Sequence, residues 1–352
     1  MNVKPLFKLM VEKKASDLFF APFSPAKIKI EGKIIPVNSL EMTPKMVRQA
    51  ALELMTEEQM EQFNKDLEID FALSEKGLGR FRVNVFHQRG SVAMVLRFIT
   101  SDLPTLDKLG MPSELKDLVM LRRGLILMVG ATGAGKSTTL AAMINHRNEK
   151  TSSHILTIED PIEFLHPNKK SIINQREVGL DTKSYARALK SAVRAAPDVI
   201  QIGEIRDIES MRAALDMAGT GHLVLATVHA NNSPETLDRI INMFPQEQHA
   251  QVFMDIAHYL RAILSQRLVR GRDGKRVAAV ELMLNTPHIK DLMLKGDIPG
   301  IKEAHRDSGE AGMRNFDDAL LQLYKDGTIT MEEAMSHADS RANLEARVNF
   351  GG

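Results

Sequence analysis

The stretch that decides the fold is Gly130-Ala-Thr-Gly-Ala-Gly-Lys-Ser137. Its two glycines five positions apart, followed by lysine and serine, have the spacing of a phosphate-binding loop. Small residues are needed there because backbone N–H groups must converge on phosphate oxygens. The apolar run Leu125–Val129 predicts a buried strand before the loop. Residues 137–147 predict a helix after it, with the positive end of its dipole facing the phosphates. The rest of the chain is therefore expected to surround a bound nucleoside triphosphate.

Composition narrows the class of protein. The length of 352 residues and the 43% apolar content predict about two globular domains. The net charge of +1 gives no basic excess of the kind that indicates nucleic-acid binding. Aromatic residues make up 5%, and tryptophan and cysteine are absent, which argues against base-stacking surfaces, disulfides and thiolate metal sites. The absence of cysteine is also consistent with a reducing cytoplasm. No apolar run reaches the roughly 20 residues that span a bilayer, so no transmembrane segment is expected.

The hydrophobic patterning predicts an α/β protein of two domains. Residues 1–100 predict a small α+β domain with an antiparallel sheet, opened by an amphipathic helix over Asn2–Lys14. Residues 101–111 predict a linker. Residues 112–352 predict an open, mostly parallel sheet with alternating helices, and a helical region from about residue 287. Within this domain, helices are expected over 181–196 and 246–264, and a hairpin across 271–274.

Polar residues cluster where predicted strands end. One strand runs into Glu159 and Glu163, a second ends at Gly203-Glu204, and a third is flanked by His222 and His229. Because ligands of open α/β sheets bind at the carboxyl ends of strands, these side chains are expected near the phosphates. Each one alone could be a solvated loop residue or a structural histidine, but their recurrence at three strand ends favours a joint role.

These residue types suit phosphoryl transfer, which needs positioning and charge neutralisation. Lys136 would contact the β- and γ-phosphates, and Ser137, Glu159 and Glu204 are candidate Mg²⁺ ligands. Glu163 is favoured as the base, with Glu204 and Glu159 left open. His222 or His229 would donate a hydrogen bond to the γ-phosphate. The predicted nucleotide cradle comprises Gly130, Ala131, Thr132, Gly133, Ala134, Gly135, Lys136, Ser137 and Thr138.

Arginines that could stabilise the transition state are scarce near the loop. Arg206 is the one expected close by, whereas Arg80, Arg82 and Arg97 lie on strands of the first domain. In a ring, that domain could present them to the nucleotide of a neighbouring subunit. The alternative is that they are ordinary surface residues.

Four motifs together resemble the secretion and twitching-motility ATPases of the type II/IV superfamily. They are the loop at 130–137, the acidic stretch 158–164, the strand end 197–207 and the histidine segment 220–231. Two N-terminal stretches, Ala15-Ser16-Asp17-Leu18 and Arg80-Phe81-Arg82-Val83-Asn84, are also similar to the family. The likeness covers nearly the whole chain.

Within that superfamily the chain resembles the PilT/PilU family of pilus retraction ATPases. It lacks the tetracysteine zinc motif typical of assembly ATPases, and its segments 288–295 and 312–320 look more like PilU than PilT. Phe19 stands where PilT has histidine. Two further departures are Gln201 inside a core strand and Gly203, where a Walker B strand usually ends in aspartate.

The resemblance implies a PAS-like first domain and a RecA-like second domain in a homohexameric ring that uses ATP and Mg²⁺. It implies a motor for pilus retraction and twitching motility, accessory to a PilT-type ATPase. The implied partner is an inner-membrane platform protein of the PilC kind, which places the ring on the cytoplasmic side of the inner membrane at the pilus base. The alternatives are a RecA-like nucleic-acid translocase and a non-catalytic regulatory partner of a second motor.

Overall fold

The computed structural model describes residues 3–306 and 312–350. Asn2, at which the first predicted helix begins, and the outer ends of both predicted domains lie outside the described residues. Contacts divide the chain into two compact units. The first comprises Met1–Asp102 and Glu163–Leu165, and the second comprises Leu103–Ile162 and His166–Gly352. Each contains its own sheet, so the chain is a mixed α/β protein with two sheets.

The first unit is built on a six-stranded antiparallel sheet of order β3-β2-β1-β6-β5-β4. One face is covered by helices, and Phe7 stacks on Phe81 with ring centroids 4.6 Å apart. Thr43 and Thr56 cap two of the helices by accepting hydrogen bonds from backbone amides. Its elements are α1 (Lys4–Glu12), β1 (Asp17–Phe20), β2 (Pro25–Ile30), β3 (Lys33–Glu41), α2 (Pro44–Leu54), α3 (Glu57–Asp66), β4 (Glu68–Glu75), β5 (Gly79–Gln88) and β6 (Ser91–Ile99).

The second unit begins its regular structure after an irregular stretch between Ile99 and Glu114. Its elements are α4 (Glu114–Met120), β7 (Gly124–Val129), α5 (Lys136–Lys150), β8 (His154–Glu159), β9 (Ile172–Glu177), α6 (Tyr185–Ala192), β10 (Val199–Ile202), α7 (Ile208–Gly219), β11 (Leu223–Val228), α8 (Ser233–Met243), α9 (His249–Tyr259), β12 (Leu260–Arg270), β13 (Arg276–Leu284), α10 (Pro287–Lys295), α11 (Ile298–Arg306), α12 (Phe316–Lys325), α13 (Met331–His337) and α14 (Arg341–Phe350). Short 3₁₀ segments cover Val193–Ala195 and Gln246–Gln248.

The second sheet has seven strands in the order β13-β12-β7-β11-β10-β8-β9. All neighbours are parallel except β12 and β13, which confirms the predicted mostly parallel sheet and the hairpin. Strands β7, β10 and β11 are buried along their whole length, as expected for parallel strands covered on both faces. We call the side where β7, β8, β10 and β11 end the carboxyl edge, and the side where they begin the amino edge.

Two predicted helices were wrong in part. Residues 260–264 are strand rather than helix, because they pair with β7 on one side and with β13 on the other. Residues 181–184 precede α6 instead of belonging to it. Asp181 accepts a hydrogen bond from the backbone amide of Glu177, and Ser184 caps the helix by accepting one from Arg187. Strand β9 was not predicted at all.

One further property of the helices concerns membranes. Over residues 3–306 and 312–350, no helix combines the length and the apolar character needed to cross a bilayer.

Candidate active site

The predicted phosphate loop connects β7 to α5 at the carboxyl edge. Gly130, Gly133 and Gly135 have φ values of 146°, 81° and 89°, which residues with a side chain rarely adopt. Gly135 is the N-cap of α5, and no side chain caps that helix end. The amide groups of the first helical turn therefore need an external acceptor, and the helix dipole favours an anionic one. The loop fits a phosphate group.

Lys136 lies inside the loop and is 9% exposed. Its Nζ donates to the carbonyl oxygens of Gly130, at 2.7 Å, and Ala131, at 3.0 Å. These bonds give the buried ammonium group hydrogen-bond acceptors and hold the backbone of the loop close to it. The lysine is thus placed where phosphate oxygens could replace the two carbonyls.

Glu204, just beyond β10, is the centre of a charged cluster at the same edge. Its Oε2 accepts a hydrogen bond from Arg206 Nη2 at 2.6 Å, and His229 Nε2 lies 3.2 Å from its Oε1. Burial alone would raise the pKa of Glu204, but the hydrogen bond from Arg206 and the charges of His229, Arg206 and Lys136 bring this pKa below its usual value. The carboxylate is therefore ionised at neutral pH, and β10, β11 and the loop converge there.

Glu159 ends β8 at the same edge and is 8% exposed. Its Oε1 accepts hydrogen bonds from Thr157 Oγ1 at 2.6 Å and from Gln175 Nε2 at 3.1 Å. Both donors come from the sheet itself, from β8 and β9. They fix the orientation of this acid, which keeps Glu159 available as a structured second carboxylate at the carboxyl edge.

Tyr185, which sequence reasoning missed, packs closely against Gly203, the position where a Walker B strand usually ends in aspartate. A Cβ atom at Gly203 would lie 2.8 Å from the Tyr185 hydroxyl and 3.2 Å from Glu159 Cα. Burial, followed by the negative charges of Asp160 and Glu204, raises the pKa of Tyr185. No pattern in the sequence marks this tyrosine, because its proximity to Gly203 depends on how α6 packs on the sheet.

The two predicted histidines lie at opposite edges. His229 follows β11 and reaches Glu204, whereas His222 precedes β11 and so lies at the amino edge. There His222 Nδ1 is 3.0 Å from the carbonyl oxygen of Met217. Six strand residues at about 3.3 Å each separate the two edges by about 20 Å. The structure therefore does not bring His222 to the phosphate loop of its own unit.

The other predicted residues lie elsewhere. Glu163 belongs by its contacts to the first unit, and its role as the base stays a prediction. In that unit Arg97 Nε donates to Asp17 Oδ1 at 2.8 Å, and Arg82 Nε is 3.5 Å from Asp70 Oδ1. Arg80, on β5, pairs in register with Ile99. The predicted roles of these three arginines in a neighbouring subunit stay predictions.

Gln201, the polar residue inside β10, is 6% exposed and pairs in register with Thr157 and Leu225. Its Oε1 is buried and accepts no hydrogen bond from the residues that the structure describes. The structure offers no physical account of this departure from an apolar strand.

Comparison with known proteins places the chain in a family. Residues 2–336 match the type II/IV secretion system protein family. The chain is 48% identical to the type IV pilus ATPase PilU of Pseudomonas aeruginosa, over 100% of this chain and 92% of that protein. It is 39% identical to the retraction ATPase PilT of the same organism, over 98% and 100% of the two chains.

The fold is similar to that of solved relatives. A crystal structure of the pilus retraction motor PilT with bound ADP superposes with a TM-score of 0.92 at 40% identity, over 98% of this chain and 99% of that one. The Legionella pneumophila ATPase DotB gives a TM-score of 0.79 at 25% identity, over 94% of each chain. The chain therefore belongs to the type II/IV secretion system protein family and, within it, to the PilT/PilU family of ATPases.

Proposed function

We propose that the chain is a hexameric motor that powers type IV pilus retraction and twitching motility, as a PilU-type accessory to a PilT-type ATPase. The observation that carries the proposal is the convergence of Lys136, Glu204 and His229 at one sheet edge of a chain so similar to PilU over its full length. In this proposal the first unit is PAS-like, the second is RecA-like, and the ring acts on an inner-membrane platform protein of the PilC kind from the cytoplasmic side at the pilus base.

The proposed cofactors are ATP and Mg²⁺. The hydroxyl of Ser137, at the start of α5, and the carboxylate of Glu204 are hard oxygen ligands of the kind that Mg²⁺ prefers, and Glu159 adds another acid at that edge. When bound with ATP, the ion would neutralise charge on the phosphates. The residues present therefore fit the ion.

The chain's own residues would act by positioning and charge. Lys136 would exchange the carbonyls of Gly130 and Ala131 for phosphate oxygens, while the backbone N–H groups of the loop donate hydrogen bonds to other phosphate oxygens. Glu163 would hold the attacking water and take its proton. Glu204 would stay ionised, because its pKa is lowered. His229, which contacts Glu204, would connect that carboxylate to the γ-phosphate.

Arginines of a neighbouring first unit would complete the site. Arg97 supports this part of the proposal best. Its Nε is held by the buried Asp17, whereas its side chain is 63% exposed and its Nη atoms make no hydrogen bond with the described residues. Such a guanidinium is pre-organised for two further hydrogen bonds to a phosphate. Arg82 and Arg80 would assist from the adjacent strand β5.

The proposal is tested by deleting the gene in strains with and without the PilT-type ATPase and scoring retraction of individual fibres. We expect a retraction defect that depends on the PilT background and that wild-type protein restores. Lys136→Ala should fail to restore it. Lys150→Ala, which changes an exposed lysine at the other end of α5, should restore it fully.

Three results would contradict the proposal. Retraction could be normal after deletion in both backgrounds. Lys136→Ala could restore full function, which would favour a non-catalytic partner. Finally, DNA could strongly stimulate ATP turnover by the purified chain, which would favour a nucleic-acid translocase.

A further inference from the structure

Gln266, in β12, is a buried polar residue that the site described above does not use. It is 2% exposed and follows Ser265, whose register partner Val129 is the last residue of β7. Strand β12 therefore continues alongside the phosphate loop after β7 has ended. A glutamine side chain buried there needs hydrogen-bond partners, because burying an unpaired amide is costly.

The partners of Gln266 belong to the phosphate loop and the helix behind it. Its Oε1 accepts a hydrogen bond of 2.8 Å from the hydroxyl of Thr139, which is fully buried in α5. Its Nε2 lies 2.7 Å from the place that a Cβ atom of Gly135 would occupy. Its backbone oxygen lies 2.5 Å from the corresponding place at Gly130. One residue of β12 thus touches both ends of the loop and fixes the start of α5.

The next residue ties this part of β12 to the C-terminal helices. The guanidinium of Arg267 lies 3.7 Å above the ring of Phe316, in α12. Its Nη1 donates to the carbonyl oxygen of His337 at 2.8 Å, and its Nη2 is 2.7 Å from Asp339 Oδ1. Three contacts of different kinds hold a half-buried arginine, so the backbone that carries Gln266 is firmly anchored.

A glycine-rich loop has much conformational freedom, and ordering it costs conformational entropy. If the loop were held only by its ligand, binding would have to supply that free energy. Gln266 instead orders the loop in the folded protein, before nucleotide arrives. We propose that Gln266 is a positioning residue for nucleotide binding, which holds the phosphate loop and the first turns of α5 through Thr139 and Gly135.

The test is the affinity of the purified full chain for MgADP, with three variants. Gln266→Met keeps the length of the side chain but removes both polar atoms, and should raise Kd about tenfold, as expected for one or two buried hydrogen bonds. Thr139→Val removes the same bond from the other partner and should raise Kd severalfold. The double variant should bind MgADP no more weakly than Gln266→Met, because both changes break the same hydrogen bond. Thr139→Ser keeps the hydroxyl and should bind like wild type.

Further readouts separate positioning from a general loss of structure. Thermal unfolding without nucleotide should change little for Thr139→Val. For ATP turnover the KM should rise with kcat within about twofold, because loop order affects ground and transition states alike. Gln251→Met is the matched control, since Gln251 is exposed on α9 and bonds only Asp255 there. It should leave Kd unchanged.

The inference fails if Gln266→Met or, should that variant not fold, Thr139→Val binds MgADP as tightly as wild type. It also fails if the effects of the two changes simply add. If wild-type protein does not bind MgADP at all, the proposed function itself is contradicted. That outcome differs from a failure of the inference about Gln266, in which wild type binds and the variants bind equally well.

Discussion

Two histidines on either side of β11 show how differently the two edges of the second sheet are built. His229, at the carboxyl edge, lies 3.2 Å from the carboxylate of Glu204, in a cluster that also contains Arg206 and feels the charge of Lys136. His222, at the amino edge, contacts the carbonyl oxygen of Met217 and lines a largely apolar groove with Leu189 and Val193. The same residue type has a charged partner at one edge and a structural one at the other.

The difference follows from strand direction. In a parallel sheet all strands end on the same side, so residues after β7, β8, β10 and β11 meet, while residues before them meet on the opposite side. The positive end of α5 is also at the carboxyl edge. We therefore expect ATP chemistry at the carboxyl edge only, and mutations at the two edges should differ in kind.

The largest expected effect is that of Lys136→Ala. Removing the buried ammonium group should lower kcat for ATP at least about 1000-fold, because a preorganised charge facing the phosphates is lost. Steady-state ATP hydrolysis measures this. Lys190→Ala, in the groove near His222, should retain wild-type turnover, and an equal loss for both variants would contradict a division between the edges.

The next largest effect is expected for Glu204→Gln. The amide keeps the shape but removes the negative charge, so kcat should fall about 100-fold, the size typical of a lost charged catalytic group. Affinity for MgADP, measured by calorimetry, should change far less than kcat. Wild-type turnover in this variant would remove Glu204 from the proposed chemistry.

The histidines themselves give a smaller effect that tests the comparison directly. His229→Gln should lower kcat about tenfold, because a hydrogen bond in a charged cluster is lost. His222→Gln should leave kcat within about twofold but reduce the free energy of unfolding by about 1 kcal/mol, the value of its hydrogen bond to Met217. The two quantities come from ATPase assays and denaturant titrations. The reverse pattern would show that the edges have been assigned wrongly.

The smallest expected effect is on the pH dependence of stability. The folded pKa of Glu204 is lowered, so the unfolded chain binds more protons there. The stabilisation is complete above the unfolded pKa of about 4.3 and is lost as pH falls through the folded pKa. Wild type should therefore lose more stability on acidification than Glu204→Gln, as chemical denaturation at pH 7 and pH 4 can measure. Parallel pH profiles would contradict the lowered pKa.

Much of the second sheet could be predicted from local sequence. The glycine, lysine and serine pattern identified the strand, loop and helix around residues 130–137, and Asp273-Gly274 identified the hairpin. Residues 260–264 were wrongly assigned to a helix, because a short apolar run suits a buried helix and a buried strand equally. Strand β9 has the sequence Ile-Ile-Asn-Gln-Arg-Glu. Its polar second half lacks the apolar pattern by which a strand is recognised, so this edge strand was not predicted.

Residues of the candidate site could be predicted from sequence only where they directly follow a predicted strand. Glu204 and His229 were found because they follow apolar runs, but His222 looked equivalent to His229 until strand direction was known. The hydrogen bond between Gln266 and Thr139 of α5 joins residues 127 positions apart, and no spacing rule in the sequence predicts it. The ion pair of Arg97 with Asp17 likewise depends on the register of β1 and β6.

The central claim, that nucleotide phosphates bind at the carboxyl edge and not at the amino edge, is tested most directly by hydrogen–deuterium exchange of the full chain with and without MgADP. We expect slower exchange for amides of residues 130–139 and of 203–206, and no change for residues 217–222. Protection confined to residues 217–222, with the loop at 130–137 unaffected, would contradict it.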